Sequence, residues 1–171
     1  HYQRTRHVGA VLPGGSSIMA GGITQIGNSV VTATVEVYDT TLGAWLNAPP
    51  LQAPRQDAVA AALPDGRVIV TGGATNSAAS SAATDLYAPA TGAWTVGPPL
   101  PLARYDSTAT TLADGRILVA GGYTGSALST RIDIFDGASN SWTTGASPST
   151  IQLRYHTATL LQNGDVLMTG G

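Results

Sequence analysis

Arginine stands at positions 4, 55, 104 and 154, in steps of 51, 49 and 50 residues (55−4, 104−55, 154−104). Each lies in a short polar stretch: Arg4-Thr5-Arg6, Arg55-Gln56-Asp57, Arg104-Tyr105-Asp106 and Arg154-Tyr155-His156. A guanidinium presents a planar fork of donors that matches a carboxylate two bonds at a time, and a tyrosine beside it adds flat stacking area. Arg4, Arg55, Arg104, Tyr105, Arg154 and Tyr155 therefore form the candidate ligand-binding set. The competing reading is structural, with Arg55 closing an ion pair to Asp57 and Arg104 to Asp106, as half-buried pairs in repeats usually do. Asp57 and Asp106 have no counterpart beside Arg4 or Arg154, so those two arginines are expected to be free for a ligand. Arg154 is two residues from His156, whereas Arg4 is three from His7, which predicts a different direction for its side chain.

Other chemistry has less support. His7 and His156, with Tyr105 or Tyr155, offer the imidazole and phenolate groups that suit copper. The chain has no Cys, which excludes disulfides and thiolate chemistry within these residues and leaves the redox compartment open. No Ser-His-Asp set has a recognisable nucleophile setting, and the recurring Asp65 and Asp114 are accounted for by turns. No catalytic residue, metal ligand or cofactor is assigned. All eight basic residues are Arg, against ten Asp and Glu, for a net charge of −2, so there is no basic field for nucleic acid or anionic lipid. No run of 18 apolar residues and no charged-then-apolar leader occurs, so nothing in the sequence predicts membrane insertion.

The elements that must position these side chains repeat. Arg104 to Gly122 alternates Thr108, Thr110 and Leu112 with Ala109 and Thr111, breaks at Asp114-Gly115, and runs through Ile117 and Val119 into Gly121-Gly122. That is a β-hairpin, with Asp-Gly predicting a two-residue type I′ turn. Copies run Ala58 to Gly73 and His156 to Gly171, with a looser one from His7 to Gly22. The turn glycines Gly15, Gly66, Gly115 and Gly164 step by 51, 49 and 49 (66−15, 115−66, 164−115). A second block follows three of the hairpins and carries Trp45, Trp94 and Trp142. Four short strands at a period near 50 predict β-propeller blades.

The first strand of each hairpin is rich in Ala, Gly and Thr, as the crowded side of a wedge nearest an axis requires. The second, as in Val68 to Val70, is apolar without a break, which predicts burial on both faces. One Trp at a fixed place per unit predicts packing between blades, and the Gly-Gly doublets predict positive φ or crowded backbone. Variable loops follow each doublet, at 23–34, 74–83 and 123–130; the second is low in information and is expected to be mobile. Pro49-Pro50 and Pro98-Pro99 form exits that return the chain toward the axis.

The Gly-Gly doublet, the aromatics Tyr38, Tyr87 and Phe135, and a Trp seven residues after each (45−38, 94−87, 142−135) resemble the kelch repeat, as does the leading Arg4-x-x-His7. The resemblance implies an all-β propeller in which the arginine junctions and the loops after Gly-Gly surround one mouth of a central channel. It also implies a use, since adaptors of this family hold acidic peptide motifs with arginines there. More distantly, galactose oxidase and related copper radical enzymes share such propellers. Their two Tyr, two His and Cys set the alternative function, with the remaining ligands outside this segment.

Units of about 4–53, 54–102 and 103–152 and a partial 153–171 give three and a half blades in one propeller segment spanning 1–171. Propellers typically have four to eight blades, so further blades are expected from the same parent chain or an associated one. Six or seven blades, common with this repeat, would need about 300 to 350 residues at this period. The expected function is a non-catalytic interaction scaffold for protein or glycan. Abundant Ala, Gly, Thr and Ser without Lys resembles secreted or surface repeat proteins of high-GC bacteria, which points to an extracellular or cell-surface place.

Overall fold

The computed structural model describes residues 3–12, 14–24, 29–147 and 152–171. Strands are the only regular elements among them, because alternating and β-branched segments are interrupted every few residues by Gly, Pro and Asp. Three four-stranded antiparallel sheets form, each in chain order from inner to outer strand. The first comprises Val8–Val11, Ser17–Ala20, Val35–Asp39 and Ala44–Ala48. Val59–Ala62, Val68–Thr71, Thr84–Ala88 and Ala93–Val96 build the second. The third holds Thr108–Thr111, Ile117–Ala120, Ile132–Asp136 and Ser141–Thr144, and Thr157–Leu160 pairs with Val166–Thr169 as a two-stranded fourth. The four inner strands neighbour one another in sequence order, so the sheets follow one another as kelch-type blades do.

The hairpins form where expected, but the turn differs. Leu63 N–H bonds to Arg67 O at 2.8 Å and Gly66 N–H to Leu63 O at 3.0 Å, and of the turn residues only Gly66 has positive φ, at 89°. This is a type I turn over Pro64-Asp65 followed by a left-handed glycine; the same bonds and a single positive-φ glycine recur over Ala113-Asp114 and Gln162-Asn163, so the extra loop residue, not the proline, sets the turn type. Asp65 completes the turn by accepting from Arg67 N–H at 3.0 Å, and Asp114 does the same for Arg116 at 3.1 Å.

The core lies between blades. Ile18, Ala20 and Val35 meet Val68, Val70 and Tyr87; on the opposite face of the second sheet, Ile69 and Leu86 meet Ile117, Val119 and Phe135. Strands Val68–Thr71 and Ile117–Ala120 are buried at every residue, as their unbroken apolar runs require. Ser17–Ala20 and Val166–Thr169 alternate instead, since only one face of each is covered. Each tryptophan sits on an outermost strand against the aromatic of the strand beside it, with ring centroids 5.4, 5.0 and 5.1 Å apart. Trp94 and Trp142 also reach the preceding blade, donating Nε1–H to Pro49 O and Pro98 O.

The sequence reading missed a smaller sheet: Arg4–Thr5, Ile23–Thr24 and Val30–Val31 pair antiparallel. Single bridges repeat it at Gln56, Ala74 and Ser80 and at Tyr105, Tyr123 and Leu128. The loop expected to be mobile is bonded on both sides. Asn76 Oδ1 accepts from Val31 N–H at 2.9 Å, and Ser80 Oγ donates to Thr124 O at 2.9 Å.

Candidate functional site

The Gly-Gly doublets set the register of the arginine junctions. In the second blade Gly72 and Gly73 have φ of 71° and 102°, and Gly73 N–H bonds to Arg104 O of the next junction at 2.9 Å. A Cβ on Gly72 would stand 2.6 Å from that same oxygen, so glycine permits the approach. Gly22 meets Arg55 O in the same way, but Gly122 meets Leu153 O, at 2.7 Å. Leu153, not Arg154, therefore takes the arginine position of the fourth junction, and Arg154 is displaced by one residue along the chain.

Arg4, Arg55 and Arg104 are clamps within their own blades. Arg104 Nη1 lies 2.7 Å from Asp133 Oδ2, with neither side chain exposed, and Nη2 donates to Val119 O at 3.1 Å. Arg55 pairs with Asp85, both about 1% exposed. Arg4 pairs with Glu36 at 2.6 Å and donates to Thr34 O at 2.8 Å, so it is not free. Burial pulls the Arg55 and Arg104 guanidinium pKa values down, against the raising effect of Asp85 and Asp133. The expected pairs Arg55–Asp57 and Arg104–Asp106 do not form. The true acids stand on the third strand, two residues before Tyr38, Tyr87 and Phe135, a recurrence visible in Glu36, Asp85 and Asp133 but distant in sequence from each arginine.

Asp57 and Asp106 turn elsewhere because their backbone is left-handed. Arg6, Asp57, Asp106 and Tyr155 have φ of 54°, 53°, 55° and 61°, one per junction. Such a conformation is strained for a residue with a Cβ, by about 1–2 kcal/mol, and persists only where surroundings impose it. Here Asp57 N–H bonds to Arg6 O at 3.0 Å and Asp106 N–H to Asp57 O at 3.2 Å, linking successive junctions through the backbone. Their side chains form a second line of pairs. Arg6 Nη1 is 3.1 Å from Asp57 Oδ2, and Arg154 Nη2 is 2.8 Å from Asp106 Oδ2, with Arg154 Nε donating to the same oxygen.

Arg154 is also ringed by tyrosines. Its Cζ is 5.3 Å from the Tyr105 ring centroid, 4.6 Å from Tyr123 and 4.5 Å from Tyr155. Tyr105 and Tyr123 meet edge to face at 5.6 Å and exchange backbone bonds, Tyr105 N–H to Tyr123 O at 3.1 Å and the reverse at 2.8 Å. Tyr155 is 69% exposed. Of the sequence candidates, the structure brings together Tyr105, Arg154 and Tyr155 and leaves Arg4, Arg55 and Arg104 inside. It adds Tyr123, whose place straight after Gly122 was the available signal.

The electrostatics of the cluster are uneven. Burial and the charge of Asp106 push the Asp57 carboxyl pKa up, while Arg6 and Arg154 oppose them. Partial burial works against the Arg154 charge, but Asp106 together with Tyr155 and Tyr105 outweighs it and leaves its pKa raised. His156 is buried between the third and fourth sheets, with Nε2 2.9 Å from Thr108 Oγ1. Among the described residues no group of three or more His, Cys, Asp or Glu could hold a metal ion, and no helix is long and apolar enough to cross a membrane.

The third unit is similar to a known repeat. Residues 103–149 match a kelch motif. Compared with curated proteins, the chain matches none. Kelch repeats generally mediate protein interactions, which fits a binding scaffold. The matched segment starts one residue before Arg104 and runs past Trp142, and so contains the whole third blade, with its buried Arg104–Asp133 clamp. Tyr105 and Tyr123 lie at its junction and in its loop after Gly-Gly.

Proposed function

We propose that the chain is a non-catalytic protein-binding scaffold whose contact site is the channel mouth at Tyr105, Tyr123, Arg154 and Tyr155. The carrying observation is the exposure of Tyr155 beside a guanidinium that already rests against three rings and one carboxylate. Exposed tyrosine and arginine held by their neighbours lose little freedom on contact, which is what anchors at protein interfaces require. The free edge of the Arg154 guanidinium suits an acidic side chain of the partner. A glycan is the second ligand class, favoured by the exposed Tyr155 ring face next to polar groups. Further blades fit the uncovered face of the first sheet, where Trp45 makes no counterpart of the Trp94 and Trp142 bonds among the described residues. The composition, rich in small polar residues and without Lys, supports work outside the cytoplasm.

The test is a photo-crosslinking residue placed at Tyr155 and, as control, at the exposed Ala90 in an outer turn at the opposite end of the second sheet. The expected result is a protein adduct from position 155 that is lost with Arg154→Ala and missing from position 90. Labelling from position 90 without labelling from 155 would overturn the mouth as the contact site.

A further inference from the structure

Four charges lie in line along the mouth: Arg6, Asp57, Asp106 and Arg154. Two cations serve two carboxylates, and the carboxylates are close enough for the charge of Asp106 to act on Asp57. Arg6 reaches Asp57 directly, with its side chain 53% exposed, while Asp57 itself is only 12% exposed. Arg154 reaches Asp106 and also acts through space on Asp57. The backbone holds the two aspartates in place, because both are left-handed and the N–H of one bonds to the carbonyl of the other. The backbone bond keeps the two residues neighbours when a charge at one end of the line changes.

The site proposed above places the partner's anionic group on Arg154, and the present inference rests on that reading. A negative charge seated there cancels the field by which Arg154 favours the Asp57 carboxylate. One cation, Arg6, then faces two carboxylates in a partly buried setting, where like charges repel strongly. We propose that an anion bound at Arg154 is taken up together with one proton from solvent, which is held on the Asp57 carboxyl. Asp57 is the acceptor because its nearly buried carboxylate is bonded by the exposed Arg6, 3.1 Å away, and because burial and the charge of Asp106 work against its ionisation. The groups that face it are Arg6 from the first junction, Asp106 from the third and Arg154 from the fourth. The mouth is thus an anion site that tightens as the pH falls. By reciprocity, affinity gains about tenfold for each unit by which the anion raises the Asp57 midpoint.

The experiment follows the carboxyl carbon of Asp57 by NMR across pH 3 to 8, in the intact chain and in Arg154→Ala. Removal of the cation mimics its neutralisation, and the expected result is a midpoint higher by about one unit. Inorganic sulfate, whose charge stays constant over the range used, is the anion probe. Its affinity, read from the Arg154 Nε–H shift, is expected to be tighter at pH 5 than at pH 7.5, by no more than the roughly tenfold that a one-unit shift allows. Asp57→Asn should keep sulfate binding and flatten that pH dependence. Sulfate binding that is the same at both pH values, with an Asp57 midpoint unmoved by Arg154→Ala, overturns the coupling and leaves the contact site standing. Sulfate that fails to move the Arg154 signal at either pH overturns the anion site itself, and the proposal with it.

Discussion

The indole N–H of Trp142 donates to the carbonyl oxygen of Pro98, 2.9 Å away and 44 residues earlier, across the boundary between two blades. Trp94 makes the same bond to Pro49 at 2.8 Å. Proline supplies only an acceptor, so the exit segment offers its carbonyl without competing for the sheet. Trp142→Phe and Trp94→Phe should each lower unfolding free energy by about 1 kcal/mol in urea titrations. Trp45→Phe should change it by less than about half of that, because Trp45 has no such bond among the described residues. Equal losses at all three positions would mean that ring size and not the bond carries the effect.

The buried clamp gives a sharper contrast. Removing one partner leaves a charge stranded in the interior, so Arg104→Met or Asp133→Leu should each destabilise by about 3–5 kcal/mol. Combining the two should recover a good part of that loss. Asp133 also pairs with Arg131 at 2.8 Å, so recovery stays incomplete. Arg154→Ala, at a side chain 28% exposed, should lower stability by less than about 1 kcal/mol. A double-mutant cycle with calorimetric midpoints reads all of these.

Glycine substitutions separate crowding from backbone strain. Gly92 has φ of 66° and nothing near a would-be Cβ, whereas Gly72 has φ of 71° and the Arg104 oxygen at 2.6 Å. Gly92→Ala should lose about 1 kcal/mol from the left-handed backbone alone. Gly72→Ala should lose about 3 kcal/mol, since a backbone oxygen must also move.

His156 makes stability depend on pH. Burial lowers its pKa below 6.5, and Nδ1 has no partner, so the folded chain favours the neutral ring. The unfolded chain then binds the proton more readily. This contribution is present in full above about pH 6.5 and is lost as the pH falls from there toward the depressed folded value. Thermal midpoints should decline through that window, and His156→Asn should remove the decline from it.

Much of the blade plan was legible because it is local. A period near 50, turn glycines and one Trp per unit give strand order and facing, and each of those signals lies within a few residues of the element it describes. The arginine partners were not legible in the same way. Arg104 finds Asp133 29 residues on, across a loop and two strands, while the adjacent Asp106 is turned aside by a positive φ that Asp does not advertise. The one-residue displacement of Arg154 was visible as spacing. Its consequence was visible only once Gly122 was seen to bond Leu153, which shows which residue had taken the buried place.

The clamps span 29 to 32 residues and close inside one blade, whereas the Arg154–Asp106 and Arg6–Asp57 pairs span 48 and 51 and join different blades. A blade duplicated as a block of gene sequence therefore arrives with its interior already neutralised and can fold beside any sibling. Its mouth residues arrive without their counterparts. Copying preserves the architecture and redraws the pairing between blades in the same event, so in such a lineage change concentrates at the blade boundaries while the blades themselves stay interchangeable.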